Sequence, residues 1–600
     1  MSDSRYIIGI DLGTTNCVLS YVDTEEDKEI IRILPVPQIV APGETDESDL
    51  LPSFIYLPTE QEKKDKTLTL PWDPFGDRVV GAYARARGAE VPGRLVVSAK
   101  SWLCHQGVDR TAPLLPVDAP EDVPRLSPIV ASATYLRHLK SAWNFIMAKT
   151  EEQRLENQEI YITIPASFDA VARELTVKAA ASAGLENIVL LEEPQAAFYA
   201  WLNEHRQDWK DLVQPGDLLL VCDVGGGTTD LSLIKVTSEE GELALKRIAV
   251  GNHILLGGDN MDLALAYNLG EELRSRKIHL NSKQMQTLWH NVRIAKERLL
   301  SDSELSEVPV VIPGTGSGLV GGTIRTGLTR ENLESILLEG FLPRCRADEL
   351  PEERPRIGLQ ELGLPYVNDT AITKHLAGFL NLHSVNEFDS EEPDLPTGIL
   401  FNGGVFKSDL IRRRIADTLG SWLRDKGSQE LLELASADLD RAVALGAAYF
   451  GLVRRGDGLR IRGGIAQSYY IGIEGSRPAV PGIPPAINAL CIVPQGLEEG
   501  ESVSLPERQF GLVVGQPVEF RFMASTIRPD DQAGDYIDDW EGTIEPVTTL
   551  QTSMEAPDVN PGTVIPVEIE ATVTEVGTLA LFLVSRDKGL RFKLEFNVRS

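Results

Sequence analysis

The chain has 600 residues, too many for one hydrophobic core, so two or more domains are expected. Hydrophobic residues make up 42% and charged residues 24%, an ordinary globular balance. The formal charge of −31 repels phosphate backbones and argues against a nucleic-acid binder.

Residues 6–10 read as a strand, Asp11-Leu12-Gly13-Thr14-Thr15-Asn16 as a tight turn and residues 17–22 as a second strand. No signal segment precedes them, and no apolar run approaches a membrane span. The five cysteines, Cys17, Cys104, Cys222, Cys345 and Cys491, form no CxxC pair, so neither a disulfide framework nor a zinc site is expected. A reducing, cytoplasmic compartment without a membrane partner follows as the expectation. Residues 41–130 read as an inserted lobe rich in Pro and Gly. Apolar helical spacing covers 133–150 and 170–184. Residues 159–165 form a strand ended by Pro165, and 188–194 repeat that form up to Pro194.

Residues 218–222 are again an apolar strand, followed by Asp223-Val224-Gly225-Gly226-Gly227-Thr228-Thr229-Asp230 and a strand at 231–234. The grammar of the first turn is repeated: strand, Asp-apolar-Gly, Thr-Thr, strand. The echo predicts two similar half-domains facing one another, and strands alternating with helices indicate an α/β class. Residues 251–330 read as a second inserted lobe. Within it Gly316-Ser317-Gly318-Leu319-Val320-Gly321 matches GxGxxG, but no βαβ unit surrounds it and a glycine-rich hairpin is the better reading. Residues 345–398 are a polar insertion, partly helical over 371–380. Residues 399–404 return to strand-turn form, and a helix is expected over 438–454. The spacing therefore predicts an α/β domain over 1–455, a linker over 456–464 and a β-sandwich over 465–600. In that last region Phe592, Leu594, Phe596 and Val598 alternate onto one face.

A phosphate tail needs backbone N–H donors, hydroxyls, a metal and little bulk. Gly13-Thr14-Thr15 offers these from one turn, and Gly225-Gly226-Gly227-Thr228-Thr229 from the other. Asp11 and Asp223 stand at the strand ends, where carboxylates can hold a hydrated Mg²⁺. There is no GxxxxGK[ST], so this is not a P-loop site.

With these turns the chain resembles the DnaK-type, seventy-kilodalton heat-shock chaperone family. The matching blocks are IGIDLGTTN (8–16), ITIPASF (162–168), LLEEPQAA (190–197), VCDVGGGTTD (221–230), LLGGDNMD (255–262), LTRENLE (328–334), FNGGVFK (401–407) and RAVALGAA (441–448), in the family's order. The resemblance implies an actin-like ATPase domain of two duplicated halves, followed by a peptide-binding β-sandwich. It implies ATP/ADP and Mg²⁺ as cofactors, slow ATP hydrolysis, and phosphates held by Gly13, Thr14, Thr15, Gly225, Gly226, Gly227 and Thr228. Asp11 and Asp223 would hold Mg²⁺ through water, and Glu193 would order the metal waters or the attacking water. Lys100 would reach the γ-phosphate, with Asp230 a second carboxylate in its turn. Gly258, Lys296, Gly403, Gly404 and Asp440 would line the adenosine side. Partners implied are unfolded or extended protein clients, a J-domain co-chaperone and a nucleotide exchange factor.

The departures from the family bear on affinity and coupling. Arg293 stands where the family has a glutamate near the ribose, and Val405 and Lys407 replace a serine and an arginine. The linker Leu459-Arg460-Ile461-Arg462 is basic where the family's is acidic, the insertion at 345–398 has no counterpart, and the chain ends at Ser600 without the family's helical lid. Three other readings share the phosphate turns: a metabolite kinase of the same superfold, an exchange factor or regulator that binds ATP without hydrolysing it, and a filament former.

Overall fold

The computed structural model describes residues 4–596 except 27, 106, 240–241, 253, 315–321, 353–363, 384–393, 428–429, 437, 475–486, 506–508, 516, 554–558, 561 and 575. The GxGxxG run, the Pro481-Gly482 turn, Val598 and parts of the 345–398 insertion fall outside those residues.

The first half is organised by β1 (Tyr6–Leu12), whose apolar run is buried along nearly its whole length, as a central strand covered by helices requires. It pairs antiparallel with β2 (Asn16–Asp23), which carries the two-residue β3 (Arg32–Ile33). After helix α1 (Pro128–Ile146), β4 (Glu159–Ile164) returns parallel to β1. After α2 (Ala170–Ser182), β5 (Ile188–Glu192) pairs parallel with β4. Helix α3 (Glu193–Glu204) follows directly. Pro194 therefore does not merely end the strand. It opens a helix, where its missing N–H costs nothing.

The second half repeats this plan. Strands β6 (Leu218–Val224), β7 (Thr229–Glu239) and β8 (Glu242–Val250) form a meander. Helices α4 (Gly258–Ser275), α5 (Ser282–Ser301) and α6 (Ile372–Leu382) precede β9 (Gly398–Asn402), which is parallel to β6. Helix α7 (Asp409–Asp425), β10 (Leu432–Leu434) and α8 (Ala442–Arg454) complete it. The sheet orders are β3–β2–β1–β4–β5 and β8–β7–β6–β9–β10, the same path with the same parallel and antiparallel steps. The sequence echo is thus a structural duplication. Helix α8 starts later than its sequence pattern, at Ala442, because Asp438 Oδ1 accepts from Asp440 N (3.1 Å) and Arg441 N (3.2 Å) and holds a turn there. This helix packs on β1 and α3 so closely that a Cβ at Gly446 would stand 1.7 Å from Ala196 O.

The two inserted lobes carry their own small sheets. Ile55–Tyr56 pairs with Val79–Val80 and Leu95–Val96 in one, and Glu307–Ile312 pairs with Ile324–Thr329 in the other.

The C-terminal region is all antiparallel: β11 (Ser468–Glu474), β12 (Ile487–Val493), β13 (Ser502–Ser504), β14 (Phe510–Val513), β15 (Pro517–Ser525), β16 (Tyr536–Ile537), β17 (Glu545–Ser553), β18 (Val564–Val573), β19 (Leu579–Ser585) and β20 (Leu590–Phe596). Hydrogen bonding is continuous in the order β13–β18–β19–β20–β17–β15–β11–β12–β16, with β14 also on β18. Leu490, Phe522 and Leu550 from one end share a core with Ile569, Leu581 and Phe592 from the other, so the long sheet folds over on itself.

Residues 456–464 lie docked. Arg462 N donates to Leu245 O (3.0 Å) and Arg247 N to Arg462 O (2.8 Å), extending the β8 edge. Ile461 is buried, and its N–H donates to the Tyr199 hydroxyl (2.9 Å). The basic side chains turn to acidic partners, Arg460 to Glu498 (3.0 Å) and Arg462 to Glu239 (2.8 Å). Arg247 also bonds Glu192 and the Gly464 carbonyl, and Glu192 pairs with Arg173 (2.6 Å). Leu190 N, on the β5 edge, donates to Val576 O of the C-terminal region (3.0 Å). Among the described residues no helix is long and apolar enough to cross a membrane.

Candidate functional site

The β1–β2 and β6–β7 turns meet between the halves. Each is fixed from behind. Ser53 Oγ donates to Gly13 O (2.7 Å) and Ser53 N to Thr15 O (2.8 Å). Gly225 N bonds Thr228 O (2.9 Å), and the first N–H groups of α4, from Gly258 and Asp259, bond Gly225 O (3.0 Å) and Gly226 O (2.7 Å). The turns approach so closely that a Cβ on Gly226 would lie 2.1 Å from Thr15 Oγ1, and one on Gly227 3.2 Å from Thr14 Cγ2. Side-chain bulk is therefore excluded at these positions.

Above the turns is a cavity of about 500 Å³, the size of a small-molecule site. Asp11, Gly13, Thr14, Thr15, Lys100, Glu193, Asp223, Gly225, Gly226 and Thr228 line it. Gly258, Lys296, Gly403, Gly404 and Asp440 line it as well. Gly227 and Asp230 are not lining residues: Gly227 packs beside Ser101 and Thr14, and Asp230 is buried, accepting from Ser167 Oγ (2.5 Å). Met261, Ile294, Leu300, Val405, Ile411 and Leu439 add apolar side chains to the lining.

The lining is rich in carboxylates. Lys100 Nζ bonds Glu193 Oε1. Burial alone would lower the Lys100 ammonium, but Glu193 and Asp11 outweigh it and hold it above its ordinary value. Burial pushes Glu193 up to about 8, opposed by Lys100 and reinforced by Asp11, Asp223 and Asp230. Asp223 is pushed up to about 7 by burial, with the Asn402 hydrogen bond opposing and Asp230 and Asp11 adding. Asp11 is raised for the same reason, against Lys100 and a bond from Thr163 Oγ1 (3.1 Å). These carboxylates share more negative charge than one lysine neutralises. Among the described residues no three His, Cys, Asp or Glu side chains converge as a direct metal-ligand set.

Asn402 was not singled out from sequence. Asn402 Nδ2 donates to Asp223 Oδ2 (2.7 Å), while its Oδ1, buried at the cavity wall, has no hydrogen-bond partner among the described residues. Its signal was its place directly before Gly403-Gly404, in register with Asp223 on the parallel neighbour strand. Arg293 is held by Asp259 (2.5 Å) and Asp262 (2.6 Å), and Lys296 by Asp262 (2.7 Å). Lys407 pairs with Asp440 (2.5 Å), both of the cavity lining. The two departures at Arg293 and Lys407 are thus cations already matched by acids of the same wall.

Two mixed sheets of identical path, clasping a cavity between their glycine–threonine turns, define the actin-like ATPase fold class. A family model described as "Hsp70 protein" matches residues 77–347. The chain is similar to a chaperone protein HscA homolog of Ralstonia nicotianae, with 27% identity over 456 residues, 74% of this chain and 57% of that protein. It is also similar to an HscA homolog of Cupriavidus necator, 26% over 461 residues with the same coverage, and to one of Burkholderia multivorans, 30% over 313 residues, 50% of this chain and 43% of that protein. The likeness to the Hsp70 family model extends over residues 77–347, less than half of this chain. It spans less than two thirds of the length of these relatives.

Proposed function

We propose that the chain is an ATP-binding, slowly ATP-hydrolysing chaperone-type protein whose nucleotide state governs how the C-terminal β region holds extended protein segments. Residues 1–455 would be the ATPase domain, 456–464 the linker and 465–600 the client-binding part. The observation that carries the reading is the meeting of the two glycine–threonine turns beside Lys100, Glu193, Asp11 and Asp223 in one cavity. Members of the Hsp70 family are ATPases, which supports it.

Magnesium and a triphosphate fit the donor set. Asp11 and Asp223 push Glu193 up, and Asp11 pushes Asp223 up, in one cavity, crowding that a divalent cation would relieve. Mg²⁺ supplies charge neutralisation on the phosphate oxygens. The residues of the chain do the rest by positioning and charge. Turn amides and the Thr14 and Thr15 hydroxyls grip the phosphates, with Gly227 fixing the second turn. Asp11 and Asp223 fix the cation's waters, and Asn402 orients Asp223. Lys100 stabilises charge developing on the terminal phosphate, and Glu193 both holds Lys100 and orders the attacking water. Asp230, from behind, biases Lys100 and Glu193 electrostatically. Gly258, Lys296, Gly403, Gly404 and Asp440 flank the apolar wall suited to a purine.

Extended client segments could add to the C-terminal sheet by edge pairing, the mode an antiparallel sheet with open ends offers. The HscA homologs are described as chaperones, which favours this over a kinase. A J-domain co-chaperone and an exchange factor are the partners this reading calls for. The five cysteines are free, which suits a reducing cytoplasm. Titration calorimetry with Mg·ATP, followed by single-turnover hydrolysis with and without an unfolded client, tests the proposal. Binding with client-stimulated hydrolysis is expected. Tight binding without hydrolysis would favour the regulator, and phosphate transfer to a small molecule the kinase.

A further inference from the structure

The second glycine–threonine turn is held by the start of α4. Gly258 N and Asp259 N donate to Gly225 O (3.0 Å) and Gly226 O (2.7 Å). The fit is tight, since a Cβ on Gly257 would stand 2.6 Å from Gly225 O and 2.7 Å from Gly226 O. That same stretch of helix carries two acids three residues apart, Asp259 and Asp262, and α5 brings two cations at the same spacing, Arg293 and Lys296. Arg293 Nη2 donates to Asp259 Oδ1 (2.5 Å) and its Nε to Asp262 Oδ2 (2.6 Å). Lys296 Nζ lies 2.7 Å from Asp262 Oδ1 and 3.4 Å from Gly258 O. Asp259, Asp262, Arg293 and Lys296 all line the cavity, as do Gly225 and Gly226.

The two acids and the two cations balance, but they are not equally shared. Asp262 is buried and pairs with both cations. Asp259 pairs with Arg293. The oxygen of Asp259 that Arg293 holds, Oδ1, is also the one nearest the second turn: it lies 3.7 Å from the Cβ position of Gly226. This carboxylate therefore stands beside the turn that would grip the phosphates, and the guanidinium is what neutralises it. Without that partner an uncompensated negative charge would face the most negative part of a nucleotide, and the start of α4 would lose its tie to α5.

We propose that Arg293 is a positioning residue for polyphosphate binding, acting through Asp259: it cancels the charge of that carboxylate beside Gly226 and fixes the helix start whose N–H groups hold the second turn. This rests on the reading of the cavity as a nucleotide site. The residue acts on the ligand's charge at second hand, so its removal weakens binding in proportion to the number of phosphates, and removal of the Asp259 charge as well undoes the damage.

The test uses the full chain and calorimetry with Mg·ATP and Mg·ADP. Binding to the unaltered protein is measured first, and its absence would remove the nucleotide reading itself. Given binding, Arg293→Met should weaken Mg·ADP about tenfold and Mg·ATP, with its further negative charge, about thirtyfold. The loss should shrink as salt is raised from 0.05 to 0.5 M, because part of it is repulsion. The double variant Arg293→Met with Asp259→Asn should return both affinities to within about threefold of the unaltered values, whereas a residue that touched the nucleotide directly, or only held the fold, would show no such recovery. Should Arg293→Met melt below the assay temperature, Arg293→Lys takes its place alone and with Asp259→Asn, since a lysine reaches only one of the two acids, and the same pattern is expected at about threefold. Unaltered affinity in the single variant would overturn the proposal and leave the nucleotide reading standing. A loss equal for the two nucleotides, or one that Asp259→Asn does not recover, would overturn it too.

Discussion

Lys100 and Glu193 are bonded to each other at the floor of the cleft, one from the inserted lobe of the first half and the other from the first turn of α3. The cation that would face a terminal phosphate is therefore aimed by the carboxylate that would order the water. Lys100 is buried and Glu193 largely so, and the pair acts in a reduced dielectric where its charge counts more. Asp11 and Asp223 add to its field from the ends of the two central strands.

Removing Lys100 should separate hydrolysis from binding. Lys100→Ala is expected to lower single-turnover ATP hydrolysis about 10²–10³-fold, the range for losing a charge contact made in the transition state. Affinity for Mg·ATP should change only a few-fold, because the turn amides and hydroxyls remain. Glu193→Gln should slow hydrolysis comparably. Rapid-quench measurement beside calorimetry checks both, and hydrolysis at the unaltered rate in Lys100→Ala would remove the role assigned to it.

Gly403 and Gly404 are neighbours with opposite constraints. Gly403 has φ +92°, and a Cβ there would lie 2.3 Å from Val224 O, whereas a Cβ on Gly404 meets nothing within 4 Å and enters the cavity. Gly403→Ala should destabilise the protein by about 2 kcal/mol or more through backbone strain and clash. Gly404→Val should leave the thermal midpoint unchanged and weaken nucleotide binding. Thermal melts and a binding titration on the two variants distinguish the effects.

His138 predicts an acid-sensitive component of stability. Burial lowers its imidazole to about 4, with the Pro37 carbonyl bond (3.0 Å) and Asp73 opposing. Its unfolded value is near 6.5, so the unfolded state binds the proton more readily between those values. The contribution is fully present above about pH 6.5 and is lost as pH falls towards 4, about 3 kcal/mol in all. His383 is held low by burial as well and acts in the same direction. His138→Gln, which can still donate to Pro37, should show a shallower fall in unfolding free energy over that window. Urea titrations at pH 7, 6, 5 and 4.5 measure the slope.

The docked linker is testable by proteolysis. Ile461 is buried against Tyr199, so Ile461→Asp places a charge where none is solvated. The segment 456–464 should release from the β8 edge and trypsin should cut at Arg460 or Arg462 at least about tenfold faster, as a loss of local protection by more than 1.4 kcal/mol implies. Equal cleavage of variant and unaltered chain would show that the segment is not held by this contact.

Much of the architecture was legible locally. The Gly-Thr turns, the strand before each and the Asp that ends the strand are written within stretches of about ten residues, because tight turns and apolar strands are set by near neighbours. That is why the repeated grammar at Asp11 and Asp223 announced two alike halves, and why nearly all the site residues read from it face one cavity. Asp230 and Gly227 share the same local pattern but are not lining residues: Asp230 is buried and accepts from Ser167 Oγ, and Gly227 packs beside Ser101 and Thr14. Arg293 stood out in the sequence and Asn402 had its place before Gly403-Gly404, but neither showed its partners there. Their roles come from contacts between separate segments of the chain: a carboxamide in register with a carboxylate on a neighbouring strand, and a guanidinium caught between two acids of another helix. The basic linker residues stand out in the sequence as a departure, but only the folded chain supplies Glu498 and Glu239 as their partners. Local sterics and periodicity are properties of the sequence alone, whereas charge pairing, burial and the shape of the cleft depend on which distant residues the fold brings within a few ångströms, and only the tertiary structure decides that.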